Sequence, residues 1–165
     1  VKDFDGYPMG KGFINQNSKI RIRMMTRKPD QEIDEAFLKM RVKNAWEYRK
    51  TTVDTSSCRI IFGEADFLPG LVIDKYEDVL VVECLALGME AFKEEIVMIL
   101  RELLAKDGIT VRGVYERSDA KEREKEGMVT TVSYGLPKSF IVYEDGRKEQ
   151  IYLSVFAPEV LKRRL

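Results

Sequence analysis

The N-terminal part of the chain alternates polar and apolar residues before the spacing becomes helical. Residues 19–24 alternate at every position, a period typical of a half-buried strand. Its apolar face would carry Ile20, Ile22 and Met24. Since successive strand side chains point to opposite faces, the other face would carry a basic row of Lys19, Arg21 and Arg23. An earlier strand is predicted over residues 11–14, where a polar turn ends it.

A helix is predicted over residues 33–50, after Pro29 and Asp30 interrupt the strand pattern. The apolar positions that recur at helical spacing are Ile33, Phe37, Met40, Ala45 and Tyr48. The basic side chains on the rest of its surface are Lys39, Arg41, Lys43, Arg49 and Lys50. This helix would link the first strands to a second unit.

The second unit is predicted to run strand, strand, helix, strand, strand. Short apolar stretches predict strands at residues 59–62, 71–73, 79–82 and 111–116, and helical spacing predicts a helix at 89–106. The tail holds two strand-like pieces joined by a hairpin turn at residues 144–147, and a short basic segment follows Pro158. The predicted fold class is therefore α+β.

Composition excludes several classes of chemistry. The 165 residues include two cysteines and no histidine, which removes Ser-His-Asp and Cys-His nucleophiles and His-ligated zinc. No apolar run approaches the ~20 residues that span a bilayer and no signal peptide precedes Val1, so we expect no membrane contact and a cytoplasmic location. Because the first residue is Val1 rather than Met, we also expect a fragment of a longer protein.

The charge is balanced over the whole chain but uneven along it. Lysine and arginine total 28, as do aspartate and glutamate. Residues 1–52 carry 12 basic and 7 acidic side chains, whereas residues 53–116 carry 6 and 13. This change of sign indicates two units with different partners.

Three features could carry chemistry, and each has a structural alternative that we favour. Glu64 and Asp66 are paired loop carboxylates, but no further ligand or base is near them in sequence, which favours a tight glycine-flanked turn. Cys58 and Cys84 lie in or beside apolar strands, which favours buried, inert thiols. The charged run at residues 116–127 is favoured as a solvated segment over a binding loop.

The basic residues near the N-terminus form the candidate RNA-binding site. Its members are Lys19, Arg21, Arg23, Arg27 and Lys28. These cations could contact phosphates, and the nearby Tyr7 and Phe13 could stack on bases. An ordinary solvated strand face accounts for the same residues equally well. The positive balance of residues 1–52 moves the choice slightly towards nucleic acid.

A loop that could hold a nucleotide is not visible in the sequence. Glycines occur singly, and neither a Walker A pattern nor Gly-x-Gly-x-x-Gly is present. We therefore expect no cofactor in this chain, and we assign no catalytic, cofactor-binding or metal-binding residue.

Three stretches of the sequence resemble one family. They are MGKGFIN at residues 9–15 with SKI at 18–20, RIIFGEADFLPGLVIDKY at 59–76, and VYERSD at 114–119 with REKEG at 123–127. In these strings and their order, the chain resembles the S-adenosylmethionine-dependent methyltransferases that make 5-methylcytosine in 23S ribosomal RNA, the large-subunit methyltransferase I-like group. The resemblance covers residues 1 to about 127.

The resemblance implies a layout of domains. Residues 1–28 would be the last strands of a PUA-like RNA-binding barrel, and residues 29–54 a linking helix. Residues 55–135 would form a small central α+β domain, followed at 136–165 by a divergent tail with a hairpin and a short helix.

The resemblance also implies a function and its partners. The full-length protein would methylate 23S ribosomal RNA with S-adenosylmethionine, and this chain would bind and position the RNA. The family's glycine loop and catalytic cysteine motif have no counterpart here, and Cys58 and Cys84 fall in other strings, so whether this chain is itself an enzyme is left open. A homodimer is also considered. The alternative function is a non-enzymatic protein-interaction or self-association module.

Overall fold

The structure is a computed structural model that describes residues 1–117 and 120–128, together with the backbone of two strands at 139–144 and 147–152. It begins with an antiparallel hairpin of two short strands. The first, β1, is Lys11–Ile14, and the second, β2, is Ile22–Thr26, with Phe13 opposite Arg23. A polar turn at residues 15–21 joins them, and the Asn15 N–H donates to the Arg21 carbonyl at 2.8 Å to close it.

The hairpin corrects the strand predicted over residues 19–24. Lys19 and Arg21 lie in the turn because the Asn15-to-Arg21 hydrogen bond delays the start of β2 to Ile22. The predicted basic row along one strand face is therefore wrong. The predicted apolar face is wrong too, since Ile20 and Ile22 are 57% and 47% exposed. The inward face of β2 instead carries the buried Met25 and the largely buried Arg23.

The predicted linking helix is present, but the face that it buries differs in part from the predicted one. Helix α1 is Glu35–Thr52, and the Asp34 carboxylate accepts the Phe37 N–H at 2.9 Å as an N-cap. Its buried residues are Phe37, Leu38, Val42, Ala45 and Trp46. Met40 and Tyr48, which the helical pattern assigned to the core, are exposed. The large Trp46 ring sets the buried face, and its Nε1 donates to Asp107 at 2.7 Å.

A six-stranded sheet forms the main body. Its six strands lie in chain order across the sheet: β3 (Ser57–Phe62), β4 (Leu71–Tyr76), β5 (Val79–Cys84), β6 (Gly113–Glu116), β7 (Ser139–Glu144) and β8 (Arg147–Tyr152). Neighbours are antiparallel except β5 and β6, which are parallel. Parallel strands need a crossover, supplied here by α2 (Leu87–Glu90) and α3 (Lys93–Lys106). Three strands thus precede the crossover helices, which confirms the ranges predicted at 59–62, 71–73 and 79–82, although the order strand, strand, helix, strand, strand had counted two of them.

The core lies between the sheet and the helices. Every second residue of β4 is buried, beginning with Leu71 and Ile73, as expected for a strand with one covered face. Ile96 and Leu100 of α3 belong to the same buried cluster, in agreement with the helical spacing of the sequence. Burying each such side chain stabilises the fold by roughly 1.5–3 kcal/mol.

The last two described strands extend this sheet. Strand β7 pairs with β6, placing Phe140 opposite Tyr115, and β8 pairs with β7, placing Arg147 opposite Glu144. The second pairing confirms the hairpin predicted at residues 144–147. The boundary expected near residue 135 lies outside the described residues. The short helix and basic segment expected after Pro158 lie outside the described residues.

No helix in the described ranges has the length and apolar composition needed to cross a membrane.

Candidate nucleic-acid interface

The predicted basic residues are divided between the two ends of β2. Lys19 and Arg21 are exposed in the turn before the strand, and Arg27 and Lys28 are exposed just after it. At ~3.3 Å per residue, the two pairs lie roughly 20 Å apart along the strand. None of these four cations makes an ion pair within the described part of the chain, so all four are available to an anionic partner.

Arg23 has a different environment from its neighbours. Its side chain is 15% exposed, and its two Nη atoms contact Glu64 Oε1 at 3.0 Å and Glu126 Oε1 at 3.2 Å. Arg23 therefore joins β2 to two carboxylates of the main body. Both Nη atoms are engaged by carboxylates within the protein, which favours a structural role for Arg23 over phosphate binding. Its partners lie 41 and 103 residues away in sequence, beyond the reach of any local pattern.

Glu126 is the buried acceptor at the centre of the anchor between the hairpin and the main body. The Asn15 side-chain amide donates to Glu126 Oε2 at 2.9 Å and to its backbone carbonyl at 2.8 Å, and the Ser18 hydroxyl donates to Oε1. Burial alone would raise the pKa of the Glu126 carboxyl. Hydrogen bonds from Ser18, Asn15 and Arg23 outweigh burial and hold this pKa below its ordinary value.

The sequence favoured a solvated segment for the charged run at residues 116–127, but in its described part, 116–117 and 120–127, Arg123 and Glu126 are buried. The run contains helix α4 (Lys121–Lys125), on which Arg123 is buried. The Arg123 Nη1 donates to the Cys84 carbonyl at 2.6 Å and lies 3.3 Å from Glu90 Oε2. Arg123 and Glu126 could not be recognised in sequence because alternating charges usually mark an exposed surface.

The loop carboxylates also have structural partners. A 3-10 turn at Gly63–Asp66 follows β3, and the Phe62 N–H donates to Asp66 Oδ2 at 2.7 Å. The Arg49 guanidinium binds both Asp66 oxygens, at 3.0 and 2.6 Å. Glu64 pairs with Arg23, as described above. The interpretation as a structural turn therefore agrees with the contacts of both carboxylates.

Neither cysteine has the environment of a nucleophile. Burial raises the pKa of the Cys84 thiol to about 12, and Cys84 is fully buried. Cys58 is half-buried, and burial raises its pKa as well. Both side chains are therefore neutral thiols near pH 7. Among the described side chains, no group of three or more acidic or cysteine residues is arranged to hold a metal ion.

A groove between α1 and the 3-10 turn was not predicted. Its volume is about 630 Å³. Three aromatic side chains line it and are at least half exposed: Tyr48 (60%), Phe62 (53%) and Phe67 (59%). Each has an arginine guanidinium over its ring. These pairs, given with the distance from guanidinium carbon to ring centroid, are Arg41 on Phe67 (4.6 Å), Arg59 on Phe62 (5.0 Å) and Arg49 on Tyr48 (5.2 Å).

The groove lies next to the hairpin. Arg23 of β2 pairs with Glu64 of the turn, and the Arg41 Nη2 reaches the Met25 carbonyl of β2 at 3.4 Å. The hairpin and the groove therefore belong to one side of the molecule. Of the two aromatic residues suggested for base stacking, Tyr7 is exposed, whereas Phe13 packs so closely on Gly88 that a Cβ there would meet its ring at 2.2 Å.

The chain is similar to curated ribosomal RNA methyltransferases. It is 38% identical over 150 residues to "Ribosomal RNA large subunit methyltransferase I" of Alteromonas mediterranea, an alignment covering 88% of this chain and 36% of that protein. The protein of the same name from Tolumonas auensis is 32% identical over 161 residues, covering 94% and 39% respectively. This chain thus spans less than two-fifths of the length of these relatives. No protein-family model matches it.

Solved structures show the same fold. A protein described as a SAM-dependent methyltransferase from Streptococcus mutans superposes with a TM-score of 0.61 at 15% identity, over 92% of this chain and 38% of that one. A methyltransferase complexed with SAH gives a TM-score of 0.60 at 15% identity, with the same coverage. At this level of identity the likeness concerns the fold alone.

Proposed function

We propose that this chain is the RNA-binding and substrate-positioning portion of an S-adenosylmethionine-dependent methyltransferase that acts on ribosomal RNA. The observation that carries the proposal is the 38% identity over 150 residues to a protein named for that activity. The motifs given above favour 5-methylcytosine in 23S ribosomal RNA as the product. Because the chain spans 36% of that relative, methyl transfer would depend on the remainder of a full-length protein.

The residues of this chain fit RNA contact better than methyl transfer. Four cations make no ion pair within the described residues: Lys19, Arg21, Arg27 and Lys28. Hydrogen bonds to Glu126 fix the turn that bears the first two. Such cations bind phosphates without reading sequence and orient the RNA for a catalytic site elsewhere.

We assign the cofactor site and the nucleophile of 5-methylcytosine synthesis to the remainder of a full-length protein. In that chemistry a cysteine thiolate adds to C6 of the base, so that C5 can take the methyl group from S-adenosylmethionine. The buried Cys84 and half-buried Cys58 are protonated thiols. The described part also lacks a glycine-rich turn between a strand and a helix, since β5 leads to α2 through Leu85 and Ala86. We therefore derive no step of methyl transfer from these residues.

The assignment of residues 1–28 to the end of a PUA-like barrel is part of the proposal. A lone two-stranded hairpin is marginally stable, so it needs further strands or other packing. The outward apolar side chains Ile14, Ile20 and Ile22 are exposed here. Further strands of a barrel would cover them, which supports the assignment.

The proposal is tested by the salt dependence of RNA binding. Fluorescence anisotropy with a labelled fragment of 23S ribosomal RNA gives the affinity over a series of salt concentrations. Each lost phosphate contact reduces the log–log slope by about 0.7 on single-stranded RNA, so Lys19→Ala with Arg21→Ala should flatten it by roughly 1.4.

The matched control exchanges Lys106→Ala and Arg112→Ala, an exposed lysine at the end of α3 and an exposed arginine that pairs with Asp78 in the turn between β4 and β5. It removes the same net charge and should leave the slope nearly unchanged. If the wild-type chain does not bind RNA at low salt, the proposal is wrong and the protein-interaction alternative is favoured. If both double variants flatten the slope equally, the hairpin turn is not the contact.

A further inference from the structure

The groove between α1 and the 3-10 turn has an unusual cation at one side. Arg41 packs its guanidinium 4.9 Å from the Phe37 centroid and 4.6 Å from the Phe67 centroid. Its Nε is buried with no hydrogen-bond partner, and it makes no ion pair within the described residues. Burial lowers the pKa of this guanidinium, yet it stays charged near neutral pH. A partly desolvated cation without a counter-ion favours an anionic ligand.

The other charges of the groove are already balanced. Asp66 binds Arg49 through both of its oxygens, and Arg59 binds Asp74 at 2.7 Å. The positive charge that remains is that of Arg41, beside aromatic surface. An acidic or phosphate-bearing ligand with flat rings is therefore complementary to the groove.

Phe67 is held in a conformation that a large side chain rarely adopts. Its φ of 59° is in the left-handed region, where a non-glycine residue costs about 1–2 kcal/mol. Its ring gives little burial in return, since it is 59% exposed. One ring face is under Arg41, and the exposure leaves the rest of the ring open to a ligand. Strain at an exposed aromatic residue is typical of a binding site and not of packing.

We propose that this groove binds a single-stranded segment of RNA, with a base stacked on Phe67 and a phosphate paired with Arg41. The proposal rests on the RNA-binding function put forward above. It adds the location of one contact and the requirement that the RNA there is single-stranded. Arginine binds phosphate through charge-assisted hydrogen bonds, and aromatic rings stack on any unpaired base. The groove volume of about 630 Å³ lies within the roughly 300–1,000 Å³ of sites for small ligands.

Single-stranded RNA fits the groove better than a duplex. In a double helix the bases are stacked and paired, so their faces cannot reach Phe62 or Phe67. An unpaired base can turn towards these rings, and the exposed Asn44 side chain could meet its polar edge. Because the groove lies beside β2, a single RNA strand could continue from the groove to the cations of the hairpin.

The test uses Phe67→Gly, which removes the ring and relieves the left-handed backbone at the same time. Glycine adopts this conformation freely, so the variant should fold. The probe is a fluorescein-labelled single-stranded RNA of mixed sequence, about 12 nucleotides long, with the duplex of the same sequence as comparison. We expect the affinity for the single strand to fall roughly 5- to 150-fold, from the usual effect of one lost stacking contact, and the affinity for the duplex to change little.

Glu77→Gly is the matched control. Glu77 has a φ of 53° in the turn between β4 and β5, so this variant makes the same backbone change away from the groove. It also removes a negative charge, which cannot by itself weaken RNA binding. Arg41→Gln supplies an independent readout, because loss of one phosphate contact should flatten the salt slope by about 0.7.

The possible results separate the groove from the wider RNA-binding proposal. Equal single-strand affinity in wild type, Phe67→Gly and Glu77→Gly would overturn the groove and leave the hairpin as the contact. No RNA binding by the wild type would overturn both proposals. If light scattering shows a wild-type dimer that Phe67→Gly converts to monomers with RNA affinity unchanged, the groove is a protein interface and our inference is wrong.

Discussion

Glu126→Ala removes the carboxylate that joins the hairpin to the main body. The side chain accepts hydrogen bonds from Asn15, Ser18 and Arg23, and Glu126 itself is buried. A hydrogen bond to a charged group contributes about 1.5–3 kcal/mol, and three that share one acceptor are not additive. Arg23 keeps its second partner, Glu64. We therefore expect the free energy of unfolding to fall by about 3 kcal/mol.

Urea unfolding followed by circular dichroism measures this loss, with Glu122→Ala as the control. Glu122 is an exposed glutamate of the same helix, α4, so its removal should change stability by no more than about 0.5 kcal/mol. Hydrogen exchange locates the effect, since the amides of β1 and β2 should lose protection before those of β4 and β5. Equal stability of the two variants would refute the anchor.

The same carboxylate gives the anchor a pH dependence with a definite sign. The folded pKa of Glu126 lies below its ordinary value of 4.5, so the stabilisation is complete above about pH 4.5 and is lost as the pH falls through the folded value. In Glu126→Gln this contribution is absent. The variant should therefore lose less stability than the wild type between pH 5 and the acid transition. Parallel pH profiles would contradict the assignment.

Two further predictions concern the cysteines and the cofactor. Cys84→Ala should lower the free energy of unfolding by roughly 1–3 kcal/mol. Iodoacetamide should react slowly with both native thiols at pH 7, because burial raises their pKa values. Rapid, selective labelling of Cys58 would show an activated thiolate instead. Isothermal titration of the chain with S-adenosylmethionine should give no binding heat, and a micromolar dissociation constant would contradict our view that the cofactor site lies outside this chain.

Elements whose sequence signal lies within the element itself were predicted correctly. Helix α3 carries Ile96, Ile99 and Leu100 at helical spacing, and all three are buried. The hairpin around residues 144–147 follows from an Asp-Gly turn signal. In both cases the information lies within a few residues of the element, where propensity and pattern act.

Features that depend on contacts distant in sequence were not predicted. The face of α1 was misjudged because Tyr48 counts as apolar in a pattern, although its ring lines an open groove. Phe62 and Phe67 line the same groove as α1, a contact between elements that no local sequence pattern shows. The alternating pattern predicts Arg23 as one member of a basic row. Its ion pair with Glu126 cannot be predicted from neighbouring residues, because the two are 103 residues apart in sequence.

The uneven charge along the chain has a second meaning in the folded protein. From the sequence, the basic N-terminal part and the acidic middle indicate units with different partners. Yet Arg23 of the hairpin and Arg49 of α1 bind acidic residues of the second unit, Glu64, Glu126 and Asp66. Part of the opposite charge therefore holds the two units together. Within the described residues, the cations of residues 1–52 that make no ion pair include the four at the hairpin ends and Arg41 beside the groove, while Lys2 and Lys43 lie elsewhere. It is this remainder, and not the total charge of residues 1–52, that an RNA strand would meet.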